Sequence, residues 1–253
     1  MINTYNESSL HKTLKVLYAA KYNGKTEVPF KNFIADIITE KGKIIEIQTA
    51  SPSALKAKVK VALDNKTDIM IVHPVASEKI IETYDENKKL VSKRKSPKRC
   101  NIYTELDGLT GLAPFLRNRH LSLVFLEVKI CEQRIKTSEP VQLKNKSRHF
   151  RKAWYKTGKK LLEIKDETIF CGKKDYLSLI PESVRDTTPR GTEAARTSGG
   201  SRDVEFSSKD LRQNLSKENA PYANLVLWIL SKSGIIECIR TEGRLKIYKV
   251  NGK

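Results

Sequence analysis

From Val28 to Gln48 the apolar residues alternate with polar ones, with Phe33, Ala35 and Ile37 in one arm and Ile45 and Ile47 in the next. Side chains along a strand point to opposite faces in turn, so a period of two over this length means extended chain with an apolar face. Glu40-Lys41-Gly42 between the arms supplies a three-residue hairpin loop whose glycine takes the left-handed position, which makes the two strands antiparallel neighbours. Ser51-Pro52 then reads as a helix cap and first helical residue, opening a helix from Ser53 to about Leu63. Asp68 to Val75 comes next as a buried strand. Strand, helix, strand in succession forms a βαβ unit, so the strands carrying Glu46 and Val72 are expected to run parallel.

The remaining chain extends this α/β pattern. Glu7 to Tyr22 places Leu10, Leu14, Leu17 and Tyr18 at helical spacing until Asn23-Gly24 stops it. Lys79 to Tyr84 and Leu90 to Ser92 flank the turn Asp85-Glu86-Asn87, a helix is expected near Tyr103 to Leu109, and Leu121 to Ile130 reads as another strand. A mixed sheet flanked by helices is therefore expected over 1–137. The texture turns polar after Ile135, so 138–174 reads as a basic connecting region. Residues 185–203, rich in Thr, Ser, Gly and Arg, read as a flexible insertion. Within 175–253, Ser207 caps a helix at Lys209 to Leu215. A long apolar helix, Tyr222 to Ser231, comes after it, then two short strands around Thr241-Glu242-Gly243. That order suggests a winged-helix-like α+β domain.

Charge narrows the partner class. The 253 residues carry 48 Lys plus Arg against 29 Asp plus Glu, a formal +19. Such a surplus makes a positive surface field that captures polyanions, with nucleic acid foremost. Cys100, Cys131, Cys171 and Cys238 stand apart, without the spacing of a zinc knuckle or a disulfide framework. Met1 to Lys15 lacks an apolar signal core, and no apolar run approaches the ~20 residues that span a bilayer. The expectation is a cytoplasmic protein without membrane contact.

Asp36, Glu46 and Gln48 share parity in the hairpin, and Asp36 falls close to opposite Glu46. Two carboxylates roughly 5 Å apart on a partly buried sheet need a cation or a proton to neutralise them. Magnesium, or manganese in its place, is bound by carboxylates, carbonyls and retained waters, and the Ile47 carbonyl is available between the two side chains. A metal held there polarises a phosphate and lowers the pKa of a bound water. The competing reading is a solvated strand face with Lys41 or Lys43 paired across it. Ile34, Ile38 and Ile44 on that face argue against it. His11 reads as a packing or supporting residue, and Glu27 as an exposed acid at a strand end.

Asp36 followed by Glu46-Ile47-Gln48 on adjacent strands resembles the PD-(D/E)xK nuclease superfamily in its ExQ form. With Glu7-x-x-Leu10-His11, Thr49, Lys58 and Arg94-Lys95-Ser96-Pro97-Lys98, the chain further resembles an uncharacterised bacterial family with that core and a C-terminal winged helix. The resemblance implies a restriction-endonuclease-like fold, metal-dependent DNA endonuclease activity, Glu7 as an assisting acid on the first helix, and Lys58 as a replacement cation for the lysine usually found at the Gln48 position. Gln48 carries no charge and cannot stabilise hydroxide or a pentavalent phosphate as lysine would. A non-catalytic DNA-binding protein or regulator on the same fold is therefore the alternative, and an RNA-processing or repair nuclease a third reading.

Lys93 to Arg99 packs five positive charges into seven residues, so Arg94, Lys95, Ser96, Lys98 and Arg99 are read as phosphate contacts. A second basic zone runs through Lys144, Lys146, Arg148, Arg151 and Lys152, with Phe150, Trp154 and Tyr155 interleaved for stacking. In the C-terminal domain Lys217, Asn219, Tyr222 and Asn224 offer polar groups at the start of the recognition helix, and Arg240, Arg244 and Lys246 border the wing. Homodimerisation would suit a double-strand cutter, though the sequence shows no interface pattern.

Overall fold

Ser8 accepts a hydrogen bond from the His11 amide and so opens α1 (Ser9–Lys21). The structure, a computed structural model, describes residues 8–142, 151–185 and 204–252. The chain forms two compact units. The first draws on 1–49, 70–101 and 124–168, the second on 50–69, 102–123 and 169–253. The division expected at residue 137 is thus replaced by an interleaved one, in which segments that come after strands of the first unit pack into the second.

The first unit is built on a seven-stranded mixed sheet. Its strands are β1 (Gly24–Phe30), β2 (Phe33–Thr39), β3 (Ile44–Ile47), β4 (Ile69–Tyr84), β5 (Leu90–Lys95), β6 (Leu121–Gln142) and β7 (Arg151–Cys171). The order is β1-β2-β3-β4-β6-β7, with β5 paired to β4. The hairpin joining β2 and β3 is antiparallel with Ile37 opposite Ile45, and Gly42 takes a φ of 77° in its turn. Leu10, Leu14 and Tyr18 of α1 pack on Ile37, Ile45 and Ile47 and on the apolar starts of β4 and β6. Full burial of each such side chain stabilises by about 1.5–3 kcal/mol, which is how the amphipathic helix is held to the sheet.

Three features depart from the expected pattern. β1 is absent from the expected elements, because Pro29 and the charged residues around it hide its alternation, and Glu27 and Lys31 bend the chain with φ of 55° and 50°. β4 is one strand of 16 residues, where the sequence suggests two separate segments. Residues 151–171, expected within a basic connecting region, form β7, and β6 continues through 138–142. Where both faces of a strand are largely polar, as along β7, the apolar period of two disappears and the sequence looks like a linker. The insertion expected at 185–203 lies, except for Arg185, outside the described residues.

In the second unit a 3₁₀ turn (Pro52–Leu55) leads into α2 (Lys56–Asp64), followed by α3 (Ile102–Glu105) and 3₁₀ turns over Leu106–Phe115. Ser51 does not cap α2. Its hydroxyl and that of Ser53 donate instead to the Gly108 carbonyl, at 3.2 and 2.7 Å. A Cβ on Gly108 would meet Pro52 Cδ at 2.9 Å, so this close approach requires glycine. α4 (Gly172–Leu177) and α5 (Glu182–Arg185) precede a final module of β8 (Glu205–Ser207), α6 (Ser208–Asn214), α7 (Ala223–Lys232), β9 (Ile236–Glu242) and β10 (Leu245–Val250). Its sheet has the order β8-β10-β9. Ser207 caps α6, as the sequence suggests, and does so in a reciprocal box with Asp210. No helix among the described residues is long and apolar enough to cross a membrane.

Candidate metal site and nucleic-acid surfaces

The β2–β3 register, with Ile38 opposite Ile44 and Ile37 opposite Ile45, carries Asp36 to the position across from Glu46. Glu46 is buried, with 2% of its surface exposed. The backbone ladder ends there because the Ile47 N–H donates to Asp36 Oδ2 at 2.8 Å. The carboxylate thus takes the place of a main-chain acceptor and is locked against β3. His11 Nε2 lies 3.3 Å from the same oxygen, so the histidine of α1 orients Asp36, the supporting role read for it from the sequence. On that face Ile44 is buried and Ile38 half-buried, but Ile34 is 41% exposed, so the apolar covering is incomplete at the Asp36 end.

Gln48 comes directly after β3, and its N–H donates to the Val72 carbonyl at 2.9 Å. In a parallel ladder the bond back to the Gln48 carbonyl would come from residue 74, which is proline and has no N–H. His73 supplies it: Nδ1 lies 2.7 Å from the Gln48 oxygen. A carbonyl only accepts, so Nδ1 carries the proton. His73 is buried, with its ring edge-on to Phe125. Sequence reasoning misses this brace, although a His-Pro pair inside an apolar strand is the signal for it.

The other expected site residues are not all brought to this place. Glu7 lies outside the described residues. Glu27 forms an ion pair with Lys15. Lys58 sits half-buried on α2 in the second unit. Among the described residues no set of three or more His, Cys, Asp and Glu side chains converges as metal ligands. Asp36 and Glu46 are two carboxylate donors, so a cation held there would need water or substrate oxygens for the rest of its shell.

The basic run is divided by the pleat of β5. Lys93 lies opposite Glu82 and pairs with it at 3.1 Å, while Lys95 pairs with Glu78 at 2.9 Å. The hydrogen bond from Lys93, followed by that from Tyr84, holds the Glu82 carboxyl below its ordinary value. Lys165 and then Lys95 draw that of Glu78 down to about 2. Arg94 faces the other way, opposite Ile81. Arg94, Lys98 and Arg99 are exposed and make no ion pair among the described residues. Ser96 is buried: its N–H donates to the Lys79 carbonyl, and its hydroxyl accepts from the Lys98 N–H. It shapes the loop rather than facing solvent.

In the second basic zone, Lys144, Lys146, Arg148 and Phe150 lie outside the described residues. Trp154 already stacks with cations, the Arg134 guanidinium lying 3.8 Å from its ring centroid and the Lys152 ammonium 4.9 Å. In the C-terminal module Lys217, Asn224, Arg244 and Lys246 are exposed, and Asn219 and Tyr222 half-buried. Arg240 is taken up by Glu205 and Glu242. The outward face of α7 carries Asn224, Trp228 and Lys232, with Trp228 44% exposed.

Residues 8–171 match the family described as "Domain of unknown function (DUF8091)". The match runs from the start of α1 to the end of β7 and includes the acidic pair and the basic run. A Treponema pallidum (strain Nichols) protein described as "Uncharacterized protein" is 28% identical over 252 residues, covering 98% of this chain and 87% of that protein. No solved structure matches the chain.

Proposed function

The chain belongs to the DUF8091 family, and from its own residues we propose that it is a DNA-binding protein of PD-(D/E)xK type that cleaves phosphodiester bonds with a divalent cation. The carrying observation is the placement of Asp36 opposite the buried Glu46 on adjacent antiparallel strands. Asp36 and Glu46, beside the Ile47 carbonyl, would hold magnesium or manganese, which supplies a polarised phosphate and an acidified water. The chain's own part is positioning: Ile47 and His11 fix Asp36, and His73 fixes the backbone at Gln48. Gln48 offers an amide for hydrogen bonding but no charge.

The winged-helix reading of the C-terminal module is supported by the succession β8, α6, α7, β9, β10 and by β10 lying between β8 and β9. In that arrangement α7 takes the recognition position, and the turn at Gly243 with Arg244 and Lys246 forms the wing. Lys217 and Asn219 precede α7. A cytoplasmic location goes with this reading.

A non-catalytic DNA binder is the second reading, favoured by one observation: Asp36 Oδ2 already faces a backbone N–H and a histidine, so its charge is answered without a metal. Incubation of supercoiled plasmid with magnesium or manganese separates the two. Nicking or linearisation that Asp36→Ala and Glu46→Ala both abolish supports the nuclease. Salt-sensitive binding without cleavage supports the binder. Linear product in a single step further indicates two active sites acting together, hence a homodimer.

A further inference from the structure

Glu132 is the most deeply buried acidic side chain of β6, 1% exposed, and three cations converge on it. Arg134 places both Nε, at 2.7 Å, and a terminal nitrogen on Oε1. Lys156 of β7 reaches Oε2 at 2.9 Å and Lys79 of β4 lies 3.9 Å from it. Arg134 is in turn stacked on Trp154, whose ring Lys152 also approaches. Burial opposes the charged form of Glu132, yet hydrogen bonds from Lys156 and Arg134 outweigh it, and its carboxyl is held below the ordinary value.

One carboxylate balances one cation. The cations beyond the first repel one another, and a partner that brings negative charge relieves that repulsion. The opposite face of the same strands is closer to balance. There Glu78 answers Lys95 and Lys165, and Glu82 answers Lys93. Alternation keeps the faces apart: Gln133 donates to the Tyr84 hydroxyl, which in turn donates to Glu82, so Glu132 and Arg134 point the other way. By the same rule Arg94, opposite Ile81, shares the side of Lys79.

We infer that the face of β4, β6 and β7 organised by Glu132 is a docking surface for the phosphate backbone of duplex DNA, with Lys79, Arg134 and Lys156 as its contacts and Arg94 at its border. The inference rests on the DNA-binding reading and adds a site away from Asp36 and Glu46. Its contacts are ionic and blind to sequence, since Lys79, Arg134 and Lys156 offer charge to phosphates rather than a reading of base edges. Arg134 is held by two hydrogen bonds and a stacked ring, so it loses little freedom on meeting a phosphate. Exposure rises from Arg134 at 15% through Lys79 at 21% to Lys156 at 52%, so the surface has a fixed base and an accessible rim.

The test is fluorescence anisotropy of a labelled mixed-sequence duplex with the full chain, in a potassium chloride series without divalent metal. The Lys79→Gln/Lys156→Gln double variant should bind about tenfold more weakly and lower the log K against log salt slope by about 1 to 2, since each lost phosphate contact removes about 0.9. Lys21→Gln/Lys165→Gln removes the same charge where Glu167 and Glu78 already answer it and should leave the slope unchanged. Equal effects of the two doubles, or no effect of either on a steep wild-type slope, would overturn this surface and leave the DNA reading standing. A flat wild-type slope would remove both.

Discussion

Glu46 and Glu132 are both buried carboxylates on one sheet, yet they stand across from different residues. Glu46 stands across from a second carboxylate, Asp36, and Glu132 lies among Arg134, Lys156 and Lys79. Burial penalises the ionised form of either residue. Their neighbours set the sign of the partner each can take. On the nuclease reading the acidic pair takes a cation, whereas a carboxylate with surplus cations leaves positive charge for an anion. On the proposed reading a nuclease needs both polarities, one for its metal and one for the strand it holds, and the acidic pair and the Glu132 cations would supply them on one sheet.

The largest effect that would sharpen this contrast is a separation of cleavage from binding. Asp36→Ala or Glu46→Ala should lower metal-dependent plasmid cleavage by about 10²-fold or more, the scale on which removing a group that stabilises transition-state charge acts. The same variants should leave metal-free duplex affinity at its wild-type value or slightly tighter, because negative charge has been removed. If affinity and cleavage fall together, the acidic pair is part of the binding surface and the contrast fails.

Next in size is the stability held by Glu132. Glu132→Ala leaves Arg134, Lys156 and Lys79 without their shared acceptor and should cost about 1–3 kcal/mol, read as a fall of several degrees in Tm. An unchanged Tm would show that the cations are satisfied by water and that the carboxylate does not organise them.

The two sites differ in how far they are legible in the sequence. Asp36 and Glu46 lie within one hairpin whose turn glycine and alternation are local signals, and Gly42 and the register appear as expected. The Ser207–Asp210 box is local too. The Glu132 cluster joins residues from three strands that are far apart in sequence. Its β7 member sits in a segment whose polar residues on both faces resemble a linker. Pairing across such distances leaves no trace in periodicity. The acidic site shows the same limit at His73, which replaces the hydrogen bond that Pro74 cannot donate and becomes meaningful only once Gln48 is known to lie beside it.

Acid titration distinguishes the carboxylates of the two faces of the β4–β6–β7 region. The folded-state values of Glu132 and Glu78 are both depressed, so the stability each contributes is complete above the ordinary carboxylate value and lost as pH falls through the lowered one. For Glu78 that window lies between 4.5 and about 2. Urea midpoints should therefore decline as the solution is acidified across it, and Glu78→Gln or Glu132→Gln should each flatten part of the decline. A decline that both variants share unchanged with wild type would place the responsible carboxylates elsewhere.

The smallest effect is expected on the balanced face. Glu78 holds Lys95 and Lys165 together, so loss of either cation leaves the other in place, and both pairs are open to solvent. Exposed ion pairs contribute little to stability, so Lys95→Gln or Lys165→Gln alone should change Tm by no more than about a degree or two. The low value for Glu78 should rise part of the way toward 4.5 in each single variant and most of the way in the double, measurable by side-chain carboxyl NMR titration. Stability loss in these variants as large as that of Glu132→Ala would mean that the two faces are equally organised, and that charge balance is not what separates them.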